Sequence, residues 1–126
     1  MTKPPLTPGV VLFAHGSRDP LWHLPIAAIA AQMAQLAPQT PVVCAYLELS
    51  TPDLATAVDV LRQHGVQSVS VMPVFLGVGK HAREDLPRLV AQERARHPDM
   101  LFTLKPAAGE DPRLVRLLAE IALDGH

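Results

Sequence analysis

The length and composition of the chain exclude several classes of protein. Its 126 residues and 13.6 kDa fit a single domain, residues 1–126, with one hydrophobic core, and they exclude a large multidomain machine. Hydrophobic residues make up 48% of the chain and charged residues 18%, which excludes intrinsic disorder. The net charge of −1 and the aromatic content of 4% provide neither the basic surface nor the stacking residues that nucleic-acid binding requires.

Three features of the sequence bear on where the protein works. Residues 1–9 contain no apolar stretch of signal-peptide length. The uncharged segment 20–47 is interrupted by prolines and polar residues, so it differs from a membrane span of about twenty apolar residues. The single cysteine, Cys44, allows no intrachain disulfide and fits a reducing compartment. We therefore expect a soluble, cytoplasmic protein.

The first half of the chain contains two strand patterns and two helix patterns. Residues 9–14 and 42–47 are short apolar runs, typical of strands that are covered on both faces. Apolar residues spaced by three and four over residues 22–36 predict one face of a helix. The Thr-Pro-Asp sequence at 51–53 predicts the start of a second helix, with the threonine as its cap and the proline at its first position. Gly65 predicts the left-handed end of that helix.

The second half repeats this alternation. Residues 68–75 and 100–104 are apolar runs that predict the third and fourth strands. Between them a helical pattern runs from the neighbourhood of residue 81 to about residue 97, and Pro87 fits either its first turn or a kink. Asp111-Pro112 predicts the cap of a last helix. The inner face of that helix is predicted to carry Leu114, Leu117, Leu118 and Ile121.

Four successive strand–helix units predict an α/β fold, a four-stranded parallel sheet with helices on both faces. Right-handed crossovers and flavodoxin-like winding give the strand order 2-1-3-4. In that order strands 1 and 3 are neighbours at the switch point, where open α/β sheets bind ligands at the carboxyl ends of their strands. Functional residues are therefore expected directly after these strands.

Three reactive side chains lie at those positions. His15 follows strand 1, Glu48 follows strand 2 and His81 follows the loop after strand 3. Two neutral imidazoles and a carboxylate are suitable ligands for a first-row divalent metal, with solvent or substrate in the open positions. The same groups can accept protons near neutral pH, histidine best of all. Glu48 is explained equally well as an exposed loop carboxylate. The other histidines are predicted to be surface or core residues: His23, His64, His97 and His126.

Donor and cationic side chains flank the two histidines. Ser17 and Arg18 lie in the tight turn after strand 1, and Lys80 and Arg83 lie on either side of His81. Because the whole chain is nearly neutral, these local charges predict an anionic ligand held at one edge of the sheet. The alternatives are a local ion pair between Arg18 and its neighbour Asp19, and a role for Gly77 and Gly79 as ordinary turn residues.

Several motifs that are specific for one type of enzyme or ligand do not occur in the sequence. It contains no GxxxxGK[ST] phosphate loop, no GxGxxG after the first strand and no GxSxG nucleophile elbow. Hydrolysis of ATP by a phosphate loop, a dinucleotide site of the usual type and serine hydrolase chemistry are therefore not supported.

Three segments together resemble one known family. Residues 12–19 (LFAHGSRD), 45–52 (AYLELSTP) and 73–87 (PVFLGVGKHAREDLP) are similar to the short CbiX/SirB family of sirohydrochlorin chelatases, and the similarity extends over residues 9–123. The resemblance implies insertion of a divalent metal into sirohydrochlorin without ATP and without a tightly bound cofactor, in cobalamin or sirohaem biosynthesis. Co²⁺ is the expected metal and Fe²⁺ the next. The chain would correspond to half of a two-lobed class II chelatase and work as a homodimer.

The same resemblance implies roles for individual residues. His15 and His81 fall on the family's metal-site histidines, and Glu48 falls on its acidic partner, whose role as ligand, base or orienting group stays open. Ser17, Arg18, Lys80 and Arg83 would bind the carboxylates of the macrocycle. The chain lacks the histidine-rich tract of some nickel-handling relatives, which makes a nickelochelatase a weaker alternative.

Two further hypotheses use the same edge of the sheet. One is a carrier that binds a metal or tetrapyrrole without catalysis. The other is a phosphate-ligand site, in which the glycines at 16, 77 and 79 form the cradle and the histidines are incidental.

Overall fold

The computed structural model of the protein describes residues 6–125 and contains a sheet of four parallel strands. The strands are β1 (Pro8–Ala14), β2 (Val42–Tyr46), β3 (Ser68–Pro73) and β4 (Leu101–Leu104). Their order is β2-β1-β3-β4, so the predicted α/β class, parallel pairing and 2-1-3-4 order are confirmed. His126 lies outside the described residues.

Helices follow each strand. They are α1 (Leu24–Leu36), α2 (Leu54–Gln63), α3 (Lys80–Arg96) and α4 (Pro112–Leu123), with 3-10 turns at Pro20–His23 and Ala108–Glu110. The helices α2 and α3 pack on one face of the sheet, in a cluster that includes Val11 and Phe13, and α1 packs on the other face around Leu12. Within the described residues no helix is both long and apolar enough to cross a bilayer.

Strand β1 forms the centre of the molecule. It pairs with β2 on one side and with β3 on the other. Three successive residues in its second half, Val11, Leu12 and Phe13, are 0%, 0% and 1% exposed. Burial on both faces accounts for the uninterrupted apolar run in this part of the sequence.

The start of α2 differs from its prediction. Asp53, and not Thr51, is the cap, because its side-chain Oδ1 accepts a hydrogen bond of 2.9 Å from the backbone N–H of Thr56. The Thr51–Pro52 peptide bond is cis, and the carbonyl of Pro52 accepts a bond from the N–H of Tyr46. Pro52 therefore belongs to the connection after β2. The predicted end is confirmed, since Gly65 has a φ of +81°.

Two other predictions from the sequence concern the position of Pro87 and the cap and inner face of α4. Pro87 lies inside α3, well beyond its first turn, where it cannot donate to the carbonyl four residues before it. The helix α4 is capped by Asp111 as predicted, through a bond from the N–H of Arg113. The predicted inner face of α4 is wrong: Leu117, Leu118 and Ile121 are 51%, 42% and 59% exposed.

A charged cluster joins α2 to α3 away from the sheet's carboxyl edge. Arg96 donates to Asp59 at 2.9 Å and to Glu93, which is 3% exposed, at 2.6 Å. Arg62 donates to Nδ1 of His97 at 2.7 Å. His97 thus has a structural place near the end of α3, as the sequence predicted.

The cap of α2 gives a test of the fold. We expect Asp53→Ala to lower the free energy of unfolding by about 1 kcal/mol at pH 7, because the N–H of Thr56 loses its acceptor. Hydrogen bonds from Thr56 hold the pKa of the Asp53 carboxyl below its usual value. The charged cap therefore stabilises the protein above the unfolded pKa of about 3.9, and this contribution is lost as the pH falls through the folded value.

The matched control is Asp53→Asn, which keeps an acceptor without the charge. Urea unfolding of the three proteins should show a difference between wild type and Asp53→Asn that shrinks below about pH 4. Equal stability of the wild type and Asp53→Ala at pH 7 would contradict the assignment of the cap.

Candidate functional site

The chain segments after β1, β2 and β3 lie side by side at the carboxyl edge of the sheet. Beyond β2, the N–H groups of Leu47 and Glu48 donate to the carbonyls of Ala14 and His15, at 2.9 and 3.0 Å. Beyond β3, the N–H of Val74 donates to the carbonyl of Phe13 at 2.7 Å. The backbone thus holds Glu48 next to His15, and it places the start of the loop leading to His81 on the other side of β1.

The His15 side chain is held by an aromatic contact. Its ring stacks on Phe75, with centroids 4.1 Å apart and planes 21° from parallel. Phe75 is 4% exposed and belongs to the core between the sheet, α2 and α3, whereas His15 is exposed. The N–H of Gly109 donates to the carbonyl of Phe75 at 2.8 Å, so the turn after β4 fixes Phe75 in its place. One face of the imidazole rests on the core while its edge stays accessible to a ligand.

His81 lies in the first turn of α3. Lys80 and His81 are both exposed, and the next residue, Ala82, is buried against the sheet and fixes the rotation of the helix. Within residues 6–125, the side chains of Lys80 and His81 make no hydrogen bond or ion pair. Since α3 follows β3 and His15 follows β1, neighbouring strands deliver both imidazoles to one edge of the sheet.

Arg83 has partners of its own. Its Nε donates to the carbonyl of Val78 at 3.2 Å, and its guanidinium lies 3.6 Å from the carboxylate of Glu110. These contacts join α3 to the loop before it and to the turn after β4. A guanidinium has five N–H donors, so some remain for an anion.

Ser17 and Arg18 differ in their surroundings. The backbone N–H and carbonyl of Ser17 both bond to the hydroxyl of Ser50, at 3.0 and 2.7 Å. Arg18 is exposed and forms no ion pair within the described chain. Asp19, its expected partner, instead caps the 3-10 turn by accepting from the N–H of Leu21 at 3.0 Å. The local Arg18–Asp19 pair is therefore not formed.

A hydrogen-bond network around Ser50 connects the turns after β1 and β2. The single hydroxyl proton of Ser50 goes to the carbonyl of Ser17, so its 3.0 Å bond to His23 must be donated by the Nε2–H of that ring. The His23 ring also stacks on Tyr46 at 4.5 Å. His23 is thus a structural residue, in agreement with the sequence analysis, although its partners were not predicted.

The other potential metal ligands near this edge of the sheet are Cys44 and Glu48. Burial raises the pKa of the Cys44 thiol, which is half-buried, and burial with the nearby Cys44 raises the pKa of Tyr46. Among residues 6–125 no three His, Cys, Asp or Glu side chains come close enough together to hold a metal ion. Glu48 therefore does not complete a preformed three-ligand set with His15 and His81.

Comparison with known proteins identifies the family. The family model described as CbiX matches residues 9–124, nearly the whole chain. The chain belongs to the CbiX family. A relative from Methanothermobacter thermautotrophicus, named sirohydrochlorin cobaltochelatase, is 37% identical over 82 residues, which are 65% of this chain and 57% of that protein. The chain thus spans somewhat more than half the length of curated relatives that it matches.

Solved structures agree with this assignment. A CbiX protein from Marinobacter aquaeolei VT8 superposes with a TM-score of 0.81 and 29% identity, over 93% of this chain and 95% of the other. The sirohydrochlorin chelatase SirB from Bacillus subtilis subspecies spizizenii, in complex with cobalt, superposes with a TM-score of 0.79 and 22% identity. That match covers 95% of this chain and 51% of SirB, so this CbiX chain has the fold of one half of the longer protein.

Two residues of this CbiX protein's site were not predicted. Phe75 and Ser50 lie in the segments that resemble the family, but the sequence predicts no role for either. The sequence does contain a signal for Phe75. An aromatic residue just past β3 can be expected near His15, because His15 follows the neighbouring strand β1. Ser50 has no comparable signal, since its partner Ser17 is 33 residues away in the chain.

Gly16 provides a test of how the edge is assembled. Its φ is +95°, and a Cβ atom there would lie 1.8 Å from the carbonyl oxygen of Glu48. We expect Gly16→Ala to displace the Glu48 peptide and to lower the free energy of unfolding by about 1–3 kcal/mol, the usual range for backbone strain.

The control is Gly77→Ala, because a Cβ at Gly77 meets nothing within 4 Å. Urea unfolding should show wild-type stability, within about 0.5 kcal/mol, for that variant. If the two variants were equally stable, the close approach of the two turns would be disproved.

Proposed function

We propose that this CbiX-family protein inserts a divalent metal ion, Co²⁺ first and Fe²⁺ next, into sirohydrochlorin without ATP. The observation that carries the proposal is the position of two exposed imidazoles relative to the neighbouring strands β1 and β3. His15 directly follows β1, and His81 lies in the first turn of α3, after the loop that follows β3, at the edge where open α/β sheets bind ligands. The family membership and the names of the relatives agree with it. In this reaction the metal is a substrate, and no tightly bound cofactor is required.

The chemistry assigns separate tasks to the two histidines. Insertion exchanges two pyrrolic N–H protons of the macrocycle for one M²⁺ ion, so two protons must leave as the four ring nitrogens bind the metal. A neutral imidazole nitrogen either binds the ion or accepts a proton, but not both at once. We assign metal binding to both rings at the start and proton acceptance to each as the ion is transferred. Stacking on Phe75 restricts the His15 ring, which favours a fixed metal position.

Glu48 is proposed to position His15 or to relay a proton. Its backbone N–H bonds to the carbonyl of His15 at 3.0 Å, and its side chain is exposed. Carboxylates next to metal-binding histidines commonly fix ring orientation and raise ligand basicity. A depression of about 600 Å³, lined by Glu48, Ser50 and Asp53 among others, adjoins it and leaves room for water as the final proton acceptor.

Sirohydrochlorin carries many carboxylates, so anion binding is the second requirement of the site. We propose that Arg18 and Lys80, both exposed, bind carboxylates on opposite sides of the two histidines. Ser17 contributes its hydroxyl. Arg83 uses the donors that Val78 and Glu110 leave open, and its contacts also hold the loop before α3. We further propose that the protein is a homodimer and works in the cytoplasm.

A phosphate-ligand site is less well supported. The cradle that it requires would be formed by Gly16, Gly77 and Gly79, but neither Gly77 nor Gly79 has the positive φ that would require a glycine. Of the three glycines, only Gly16 has a backbone conformation that requires glycine. Its α-carbon packs against the backbone of Glu48 and does not face a cavity.

The proposal is tested by absorption spectroscopy with purified protein, excess sirohydrochlorin and excess Co²⁺. We expect many equivalents of product per protein. A carrier would stop at one equivalent, and retention of flavin or nucleotide through purification would favour the phosphate-ligand alternative. Parallel assays with Fe²⁺, Ni²⁺ and Zn²⁺ rank the metals, since imidazole ligands alone do not select among them.

Removal of either metal-site histidine is the first mutational test. We expect His15→Ala and His81→Ala each to reduce metal insertion to the uncatalysed rate, because the remaining ring cannot both hold the ion and accept protons. Far-UV circular dichroism should be unchanged, since both residues are exposed.

The matched control is His64→Ala, at the end of α2, where Nδ1 lies 2.8 Å from the carbonyl of Val60. This variant should keep wild-type activity. Full activity in His15→Ala or in His81→Ala would remove that histidine from the mechanism.

Glu48→Gln separates a positioning role from metal ligation. We expect kcat to fall by about 10–100-fold, the usual effect of losing a carboxylate behind a metal-binding histidine. The Kd for Co²⁺, measured by calorimetry without sirohydrochlorin, should rise by no more than about 10–100-fold if Glu48 only orients a histidine or relays a proton, because both metal ligands remain. Loss of Co²⁺ binding in Glu48→Gln would instead make Glu48 a ligand.

A further inference from the structure

Leu49 combines two features that the fold of the chain does not explain. Its backbone φ is +63°, in the left-handed region, where the Cβ atom of a leucine is strained and glycine or asparagine is favoured. Within residues 6–125 no other residue except glycine has a positive φ. The Leu49 side chain is also 56% exposed. The leucine thus strains the backbone without adding its side chain to the core, and residues strained in this way cluster at ligand sites.

The residues on either side of Leu49 fix its conformation. The backbone N–H of Glu48 donates to the carbonyl of His15 at 3.0 Å. The hydroxyl of Ser50 bonds to the backbone N–H and carbonyl of Ser17, at 3.0 and 2.7 Å. The chain turns through Leu49 to make both contacts, and a glycine or an asparagine would make the same turn with less strain. The fold therefore requires the turn but not the leucine side chain.

Leu76 also has a fixed backbone and an exposed side chain. It directly follows Phe75, whose carbonyl accepts a bond of 2.8 Å from the N–H of Gly109. A Cβ atom at Gly109 would lie 1.8 Å from the carbonyl oxygen of Leu76, so the turn after β4 packs directly on the Leu76 backbone. The Leu76 side chain is nevertheless 72% exposed.

The two leucines occupy equivalent positions on opposite sides of His15. Leu49 is the third residue after β2, which ends at Tyr46. Leu76 is the third residue after β3, which ends at Pro73. His15 directly follows β1, which lies between these two strands. Two strand spacings, about 10 Å, separate β2 from β3, which is comparable to the width of a tetrapyrrole ring. A ring laid across this edge would therefore contact both leucines and have His15 beneath its centre.

We propose that Leu49 and Leu76 form an apolar platform on which one face of the macrocycle rests during metal insertion. The inference rests on the proposed function and assigns the residues that bind the hydrocarbon part of its substrate. The carboxylates of sirohydrochlorin lie at the periphery of the conjugated ring, so cationic side chains hold its edge and leave its faces without a partner. Burial of one face against two leucines supplies hydrophobic binding energy. It also presents the ring nitrogens to a metal ion held at His15.

Asparagine substitution tests the platform, because asparagine tolerates the left-handed conformation but lacks the apolar surface. We expect Leu49→Asn and Leu76→Asn each to raise the Kd for sirohydrochlorin, measured without metal, by at least about fivefold, because the ring face loses an apolar contact. Trp22 is the only tryptophan of the chain, so quenching of its fluorescence by the bound macrocycle gives this Kd.

Two further measurements separate contact with the ring from damage to the fold. The urea midpoint of Leu49→Asn should not lie below that of the wild type, since the substitution relieves backbone strain. The Kd for Co²⁺, measured by calorimetry, should change by less than about twofold in both variants, because a leucine is not a metal ligand. A loss of Co²⁺ affinity as large as the loss of sirohydrochlorin affinity would overturn the proposal, since the variants would then have displaced the histidines.

The matched control is Leu36→Asn. Leu36 is 83% exposed and is the last residue of α1, which ends at the opposite edge of the sheet. This variant should keep the wild-type Kd for sirohydrochlorin within about twofold. The conservative variant Leu49→Met keeps the apolar surface and should also bind like the wild type. Wild-type affinity in either Leu49→Asn or Leu76→Asn, an equal loss in Leu36→Asn, or weak binding by Leu49→Met would overturn the proposal.

The metal-insertion assay separates this inference from the proposed function. A wild type that binds sirohydrochlorin through the platform but does not turn over would disprove the activity alone. Metal insertion by the wild type, together with unchanged sirohydrochlorin affinity in the two asparagine variants, would disprove the platform alone.

Discussion

The pairing of β1 with both β2 and β3 is the constraint on which the rest of the structure depends. Because β1 lies between them, the segments after all three strands must meet at one edge, and β1 can bury Val11, Leu12 and Phe13 between two helix layers. The same pairing brings Glu48 against His15 through a backbone hydrogen bond and sets Phe75 beneath the His15 ring. The candidate site is a consequence of strand order and not of any local motif.

Strand order explains why much of the architecture could be predicted from sequence. Each strand is buried on at least one face, and burial produces the apolar runs that mark it. Successive strand–helix units with right-handed crossovers leave few topologies, and parallel strands put their carboxyl ends on one edge. The positions of His15 and His81 at that edge therefore follow from their places after β1 and β3. A distance between the two rings does not follow, because it depends on side-chain rotations that no periodicity encodes.

The sequence-based predictions that were wrong or missing concern contacts that exist only in the folded chain. The capping of α2 by Asp53, preceded by a cis Thr51–Pro52 bond, depends on the return of Pro52 to the N–H of Tyr46, a contact made only in the folded chain. The Ser50 network likewise joins residues far apart in sequence. In α4 the heptad-like spacing of leucines correctly indicated an amphipathic helix. Spacing identifies which face is apolar, but not whether the chain itself or another molecule covers it.

The apolar helix and the histidine site are connected through one short turn. Asp111, the cap of α4, directly follows the turn Ala108–Glu110. Within that turn, the N–H of Gly109 holds the carbonyl of Phe75, and a Cβ at Gly109 would lie 1.8 Å from the carbonyl oxygen of Leu76. Phe75 in turn supports the His15 ring. The position of α4 and the geometry of the candidate site at the carboxyl edge are therefore linked through the same few contacts.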